Sequence, residues 1–241
     1  MTSAAVMWHD IECGGYAADL ALWHELAATA GGPVLDVGAG TGRVALRLAE
    51  AGHDVTALDR DAELLRALDD RARDAGVTVE TVVADAAEFA LPRRFALIAV
   101  PMQTIQLLPD AAARAGFFAS AAAALAPGGR VAIAIADALE SFDEHAALPL
   151  PDVGQDGGLR YLSQPVAVRD DRAGAVRIER VREIVRPGGE RSSSDDVVLL
   201  ARVDAAGLAR EGDTHGLRAE PPRIVPATDE HIGSTVVLLR G

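Results

Sequence analysis

Three acidic residues, Asp36, Asp59 and Asp85, each close a short apolar run, and three glycines at alternate positions, Gly38, Gly40 and Gly42, follow the first of them. Carboxylates accept hydrogens from hydroxyls and amines, and bare glycine lets main chain approach a ligand closely. A helical pattern opens at once with Arg43-Val-Ala-Leu-Arg-Leu-Ala-Glu50, so the loop runs into a helix N-terminus. Together these groups suit the grip of a nucleotide-like ligand. The spacing departs from the dinucleotide fingerprint, because the third glycine position of that pattern falls on Arg43. A Walker loop needs a lysine, and all 23 basic residues are arginine. Schiff-base lysine chemistry is excluded for the same reason.

These groups need strands to hold them. The short apolar run launched by Gly31-Gly32-Pro33 and ending in Asp36, 53–59, Val77–Ala84, Phe95–Val100 and Val131–Ala136 read as five strands, the fourth solidly apolar as a central parallel strand should be. Helices are expected at 14–29, 43–51, from the N-cap Asp61 to about 75, and from Asp110 to about Leu125. Strand and helix alternating with short connections predict a parallel, doubly wound α/β sheet. In such a sheet ligands bind beyond the carboxyl ends of the strands. The rim is therefore expected to carry Asp36 with the glycines, Asp59, Asp85, Pro101-Met102-Gln103 and Asp137.

The pattern changes after that point. Residues 143–158 read as loop. Residues 159–168, 175–186 and 194–203 read as strands joined by the turns Asp170-Asp171 and Pro187-Gly188-Gly189, hence antiparallel. Asp204 caps a short helix, and 235–240 is a last strand.

Composition narrows the partners. The net charge of −13 repels phosphate backbones, so nucleic acid is not an expected partner. The arginines between 169 and 191 alternate with acids, as on a solvated sheet face. No apolar run approaches the roughly 20 residues of a membrane span, so no membrane association is expected. The N-terminus lacks the basic start and apolar core of a signal peptide. The single cysteine, Cys13, points to a reducing cytoplasm.

Asp36-x-Gly38-x-Gly40-x-Gly42 resembles motif I of the class I S-adenosylmethionine-dependent methyltransferases. The likeness extends over about 30–137. Asp59 matches the acid closing the second strand, Ala84-Asp85-Ala86 looks like the adenine-contacting motif, and Leu125-Ala-Pro-Gly-Gly129 is similar to the turn before the fifth strand. The resemblance implies a Rossmann-like, mostly parallel seven-stranded sheet with S-adenosylmethionine as cofactor. It implies a core of 31–140 and 204–241, an N-terminal lid helix in 1–30, and a loop and antiparallel insertion, 141–203, as a substrate roof that can also form a homodimer contact.

The cofactor-binding set so implied is Tyr16, Asp36, Gly38, Gly40, Gly42, Arg43, Asp59, Arg60, Asp85, Ala86, Val100 and Pro101. Within it the glycines border the methionine part, Arg43 faces its carboxylate, Asp59 takes the ribose hydroxyls, and Asp85 the adenine amine. Trp23 is read as core. Gln103, Gln106 and Tyr161 are candidates for the substrate. His145 and His231 are weak candidates for a general base, and no metal is expected. DNA and protein-amine methyltransferases often carry Asn/Asp-Pro-Pro-aromatic after strand four, where this chain has Val100-Pro-Met-Gln103. A small-molecule acceptor, methylated on nitrogen or oxygen, is therefore favoured. The alternatives are a non-catalytic cofactor-binding module and, disfavoured by Arg43, a nicotinamide oxidoreductase.

Overall fold

The computed structural model describes residues 2–136, 141–143, 148–171, 174–228 and 231–241. The chain forms two compact units, Met1–Tyr16 with Leu139–Arg202, and Ala17–Ala138 with Val203–Gly241. The expected lid of 1–30 is thus not one piece. Glycines 14 and 15 and a turn interrupt the predicted helix of 14–29, and only its second part is α-helical.

The smaller unit opens with α1 (Ala4–His9), capped by the Ser3 hydroxyl and continued by a π-helical turn at Asp10–Gly14. Four antiparallel strands complete it, in the order β6 (Asp152–Asp156), β7 (Leu159–Asp170), β8 (Ala175–Val185) and β9 (Arg191–Ala201). The strand β6 lies where loop was expected. Its sequence, Asp-Val-Gly-Gln-Asp, has weak strand propensity and is ordered by pairing with β7. Gly154 in β6 is required by packing, since a Cβ there would sit 2.4 Å from Ile11.

Tyr161 is buried in this unit's core with Met7 and Trp8, its ring edge-on to Trp8 at 5.2 Å. The residue expected as a substrate contact thus packs as a member of this core. The arginine face is also less solvated than expected. Arg182 forks onto Glu12 at 2.7 and 2.8 Å, pairs with Asp196, and lies over the Trp8 ring. Burial pushes the Glu12 carboxyl up, but hydrogen bonds from Arg182 and Ser163 outweigh it and hold the carboxyl below its ordinary value.

The larger unit contains the seven-stranded sheet. Its elements are α2 (Leu20–Ala30), β1 (Val34–Val37), α3 (Ala45–Glu50), β2 (Val55–Asp59), α4 (Ala62–Asp74), β3 (Glu80–Val83), β4 (Phe95–Val100), α5 (Ala111–Ala124), β5 (Leu125–Ile135), α6 (Ala205–Asp213), β10 (Arg218–Val225) and β11 (Ser234–Arg240). The strand order is β3-β2-β1-β4-β5-β11-β10, parallel through β5 and antiparallel thereafter. This is the expected doubly wound, mostly parallel architecture.

Period-two alternation sorts the strand side chains. Leu35, Val37, Ile98, Val100, Val131 and Ile133 face a core shared with Phe117 and Phe118 of α5 and Leu208 of α6. The helices α2, α3 and α4 pack on the other face. The strand β10 escaped the sequence reading because Pro221-Pro222 interrupts it; the ladder to β11 shifts register between Glu220 and Arg223. The Pro127-Gly-Gly turn is absorbed into β5 as an irregularity, with Gly128 at φ 74°.

Candidate active site

The glycine loop leaves β1 with Gly38, Gly40 and Gly42 all at positive φ, 74°, 54° and 94°. It is clamped to the end of β2. The Gly38 and Ala39 amides donate to the Leu58 carbonyl at 2.8 and 3.0 Å, and the Gly40 amide donates to Asp59 Oδ2 at 2.8 Å. Asp59 Oδ1 accepts from the Asp61 amide at 2.9 Å, and Asp61 caps α4. Asp59 therefore ties the loop, its own strand end and the next helix together. Each of its oxygens keeps a second lone pair for a ligand hydroxyl. Arg60 beside it is exposed.

Two of the glycines answer to steric demand. A Cβ on Gly38 would lie 2.5–3.1 Å from the Thr104 side chain. Thr104 is itself held by its hydroxyl donating to the Pro101 carbonyl at 2.9 Å. The loop after β4 thus closes on the glycine loop with no room for a side chain between them. A Cβ on Gly42 would strike Leu46 and Leu68 at 2.8–3.0 Å, so Gly42 answers to packing against α4.

After β4, Val100 and Pro101 are buried, and Met102 at φ 54° is the one non-glycine residue at positive φ among the described residues. Such a conformation is uncommon outside Gly, Asn and Asp and tends to collect at functional sites. Gln103 is half-buried there. Gln106, expected as a substrate contact, is buried and bonded to the main chain. Its amide donates to the Ala136 carbonyl at 3.1 Å and accepts from the Ala136 amide at 2.8 Å, both buried, which fixes the end of β5. On the other side, Asp85 is exposed, with Oδ1 accepting from the Ala87 amide at 2.8 Å. Ala86 packs against the core.

The electrostatics centre on the loop. Asp19, 1% exposed, accepts from Arg43 at 2.6 and 2.9 Å and from the Trp23 indole at 2.8 Å. Trp23 is fully buried, the core residue it was expected to be. The expectation that Arg43 points at a cofactor carboxylate is modified, because this bidentate pair engages its guanidinium. Asp36 is 1% exposed, and neither of its oxygens reaches a hydrogen-bond partner at full geometry. Burial pushes its carboxyl up to about 7; Arg43 and the Ala45 amide pull the other way, while the charges of Asp59 and Asp19 add to the rise.

Asp36, Gly38, Gly40, Asp59, Asp85, Val100, Pro101 and Gln103 therefore share the carboxyl edge of the sheet. His231 precedes β11, whose Thr235 pairs with Ile135 at the end of β5, so it lies at the same edge. His145 and Asp137 fall outside the described residues. Tyr16 is buried in the smaller unit. Asp19 and Thr104 were missed by sequence reading. Asp19 sits 24 residues from its partner and carries no local signature, and Thr104 matters only through its approach to Gly38. Two open clefts of the larger unit, about 350 and 530 Å³, lie at the opposite, amino end of the strands and do not include these acids.

Residues 34–129 match a family model described as a methyltransferase domain. No curated protein matches the chain. Among solved structures it is similar to DesVI of Streptomyces venezuelae, with 22% identity over 96% of this chain and 94% of that one and a TM-score of 0.72. It is similar to the sugar N-methyltransferase KedS8 from Streptoalloteichus sp., with 19% identity, coverage of 100% and 94%, and a TM-score of 0.73. It is likewise similar to S-adenosylmethionine-bound CalS10, an amino pentose methyltransferase from Micromonospora echinaspora, with 19% identity, coverage of 98% and 97%, and a TM-score of 0.68. Family match and strand order agree: residues 34–129 are similar to a methyltransferase domain, and the chain shares the fold of these solved structures.

Proposed function

We propose that this protein transfers a methyl group from S-adenosylmethionine to a nitrogen or oxygen of a small molecule, with amino sugars as the first acceptors to test. The observation that carries the reading is the Asp59 clamp on the glycine loop. It presents main chain and two carboxylates, Asp59 and Asp85, along one edge. Asp59 would take the ribose hydroxyls and Asp85 the adenine amine, while Gly38 and Gly40 admit the methionine end beside Val100 and Pro101. The absence of room for a Cβ at Gly38 and the uncompensated Asp36 carboxyl both fit a cationic adenosyl ligand. The amino-sugar class is supported by the structural likeness to KedS8 and CalS10.

S-adenosylmethionine, when bound, supplies a methyl group already activated by a sulfonium. The protein's work is to orient the acceptor and exclude water, and orientation alone can supply roughly 7–11 kcal/mol. Gln103 can orient a polar acceptor, and His231 can take a proton from a hydroxyl, a contribution of about 10²–10⁴-fold. A neutral amine requires no such base before transfer. The smaller unit lies outside the matched 34–129 segment, and acceptor choice would be encoded there.

The test is incubation of the purified protein with S-adenosylmethionine and a panel of amino sugars and hydroxylated analogues, following S-adenosylhomocysteine release. Cofactor binding without turnover on any acceptor would favour the binding-module alternative. Binding of a nicotinamide dinucleotide in preference to S-adenosylmethionine would overturn the assignment.

A further inference from the structure

Asp36 occupies an unusual electrostatic position. It is 1% exposed and stands two residues before Gly38. Its strand neighbours in register, Ala57 on β2 and Ala99 on β4, carry no charge. The cation acting on it, Arg43, is already forked onto Asp19. Asp59, the next carboxylate on the rim, is of like charge, and its two oxygens are engaged by the Gly40 and Asp61 amides. The remaining favourable group is the Ala45 amide at the start of α3. Asp36 and Asp19 thus share one guanidinium, and Asp59 adds a further negative charge near Asp36. A buried carboxylate so placed keeps its proton into the neutral range, with its titration centred at about 7.

The two forms of an adenosyl cofactor differ by one charge at sulfur. We infer that Asp36 is a specificity-determining charge sensor: it sheds a proton when a cationic cofactor seats on the glycine loop and regains one once the sulfur is neutral. The pocket then holds the methyl donor more tightly than the spent cofactor, and release of the spent cofactor is coupled to proton uptake from solvent. This rests on the cofactor reading proposed above. The charge account balances. The acceptor's lone pair forms the new bond to the methyl group and the acceptor carries the positive charge away or gives up a proton; the sulfur keeps the electron pair of the broken S–CH₃ bond and becomes neutral, and the carboxylate takes up one solvent proton.

Calorimetry on the full chain tests this, with sinefungin, an unreactive analogue bearing an ammonium in place of the sulfonium, and S-adenosylhomocysteine. Titration at pH 7 in two buffers of different ionisation heat counts protons released. The expected result is about half a proton more for sinefungin than for S-adenosylhomocysteine. The affinity ratio of the two should rise by up to about tenfold per pH unit below 7 and level off above it. Asp36→Asn should remove both effects, and it subtracts any proton contributed by the ligands' own ammonium groups. If that variant does not fold, the wild-type proton counts and pH series still decide. Equal proton release for the two ligands, or an affinity ratio flat from pH 5.5 to 8.5, overturns the inference. Binding of neither ligand at any pH would overturn the cofactor reading, and this inference with it.

Discussion

Asp36→Asn should make the protein more stable at neutral and alkaline pH, and the gain should vanish in acid. Asp36 ionises at its ordinary 3.8 in the unfolded chain and at about 7 in the folded protein. Below about 4 the group is protonated in both states and favours neither. Between 4 and 7 the unfolded chain releases the proton while the folded protein retains it, so stability falls as pH rises. Above 7 both states are ionised and the loss is complete. The slope is about 1.4 kcal/mol per pH unit, and over the interval the loss sums to about 4 kcal/mol. Asparagine has the same shape and no charge in either state, so the difference between variant and wild type isolates this group from every other carboxylate. Denaturant unfolding of both proteins at half-unit steps from pH 4 to 8.5 measures it. A difference that stays constant across that range would refute the claim that Asp36 is buried without a compensating partner.

Three further outcomes follow from the geometry. Asp59→Ala should weaken S-adenosylmethionine binding by about 1–3 kcal/mol, since a charged acceptor and the Gly40 tether are lost together; unchanged affinity by calorimetry in a folded variant would remove Asp59 from the site. Gly38→Ala should destabilise the protein by about 1–3 kcal/mol and impair cofactor binding, because the new methyl meets Thr104 at a φ of 74°, and Thr104→Ala should relieve part of this; a wild-type unfolding midpoint for Gly38→Ala would contradict the close approach. Gln106→Leu should cost about 2–4 kcal/mol of stability by orphaning both polar groups of Ala136, and acceptor KM should not move in material that remains folded; a selective KM change would restore Gln106 to the substrate site.

The alternation of strand and helix in the larger unit was legible because parallel strands buried on both faces are apolar throughout, and because caps such as Asp61, Asp110 and Asp204 are local chemistry. The acids at 36, 59 and 85 were legible for the same reason: each lies within two residues of a strand end that the pattern marks. The strands β6 and β10 were not, since one has poor propensity and the other contains two prolines, and both are held by their neighbours. Tyr161 read as a substrate contact because an aromatic ring with a polar handle looks alike in a core and in a pocket; Trp8 and Met7, some 150 residues away in the chain, decide which. The bonds of Gln106 to Ala136, 30 residues on, are equally invisible in the local sequence.

Short-range rules, one residue's cap or a run's period, are written in neighbouring letters, and they sufficed for the architecture and for the edge at which the chemistry sits. Pairing across long stretches of chain was decided by folding. Asp19 takes Arg43, Thr104 closes on Gly38, and Asp36 is left in the interior with its charge unbalanced. Burial and partner choice are properties of the assembled volume, because the energy of a charge depends on what replaces its water, and no local pattern records that.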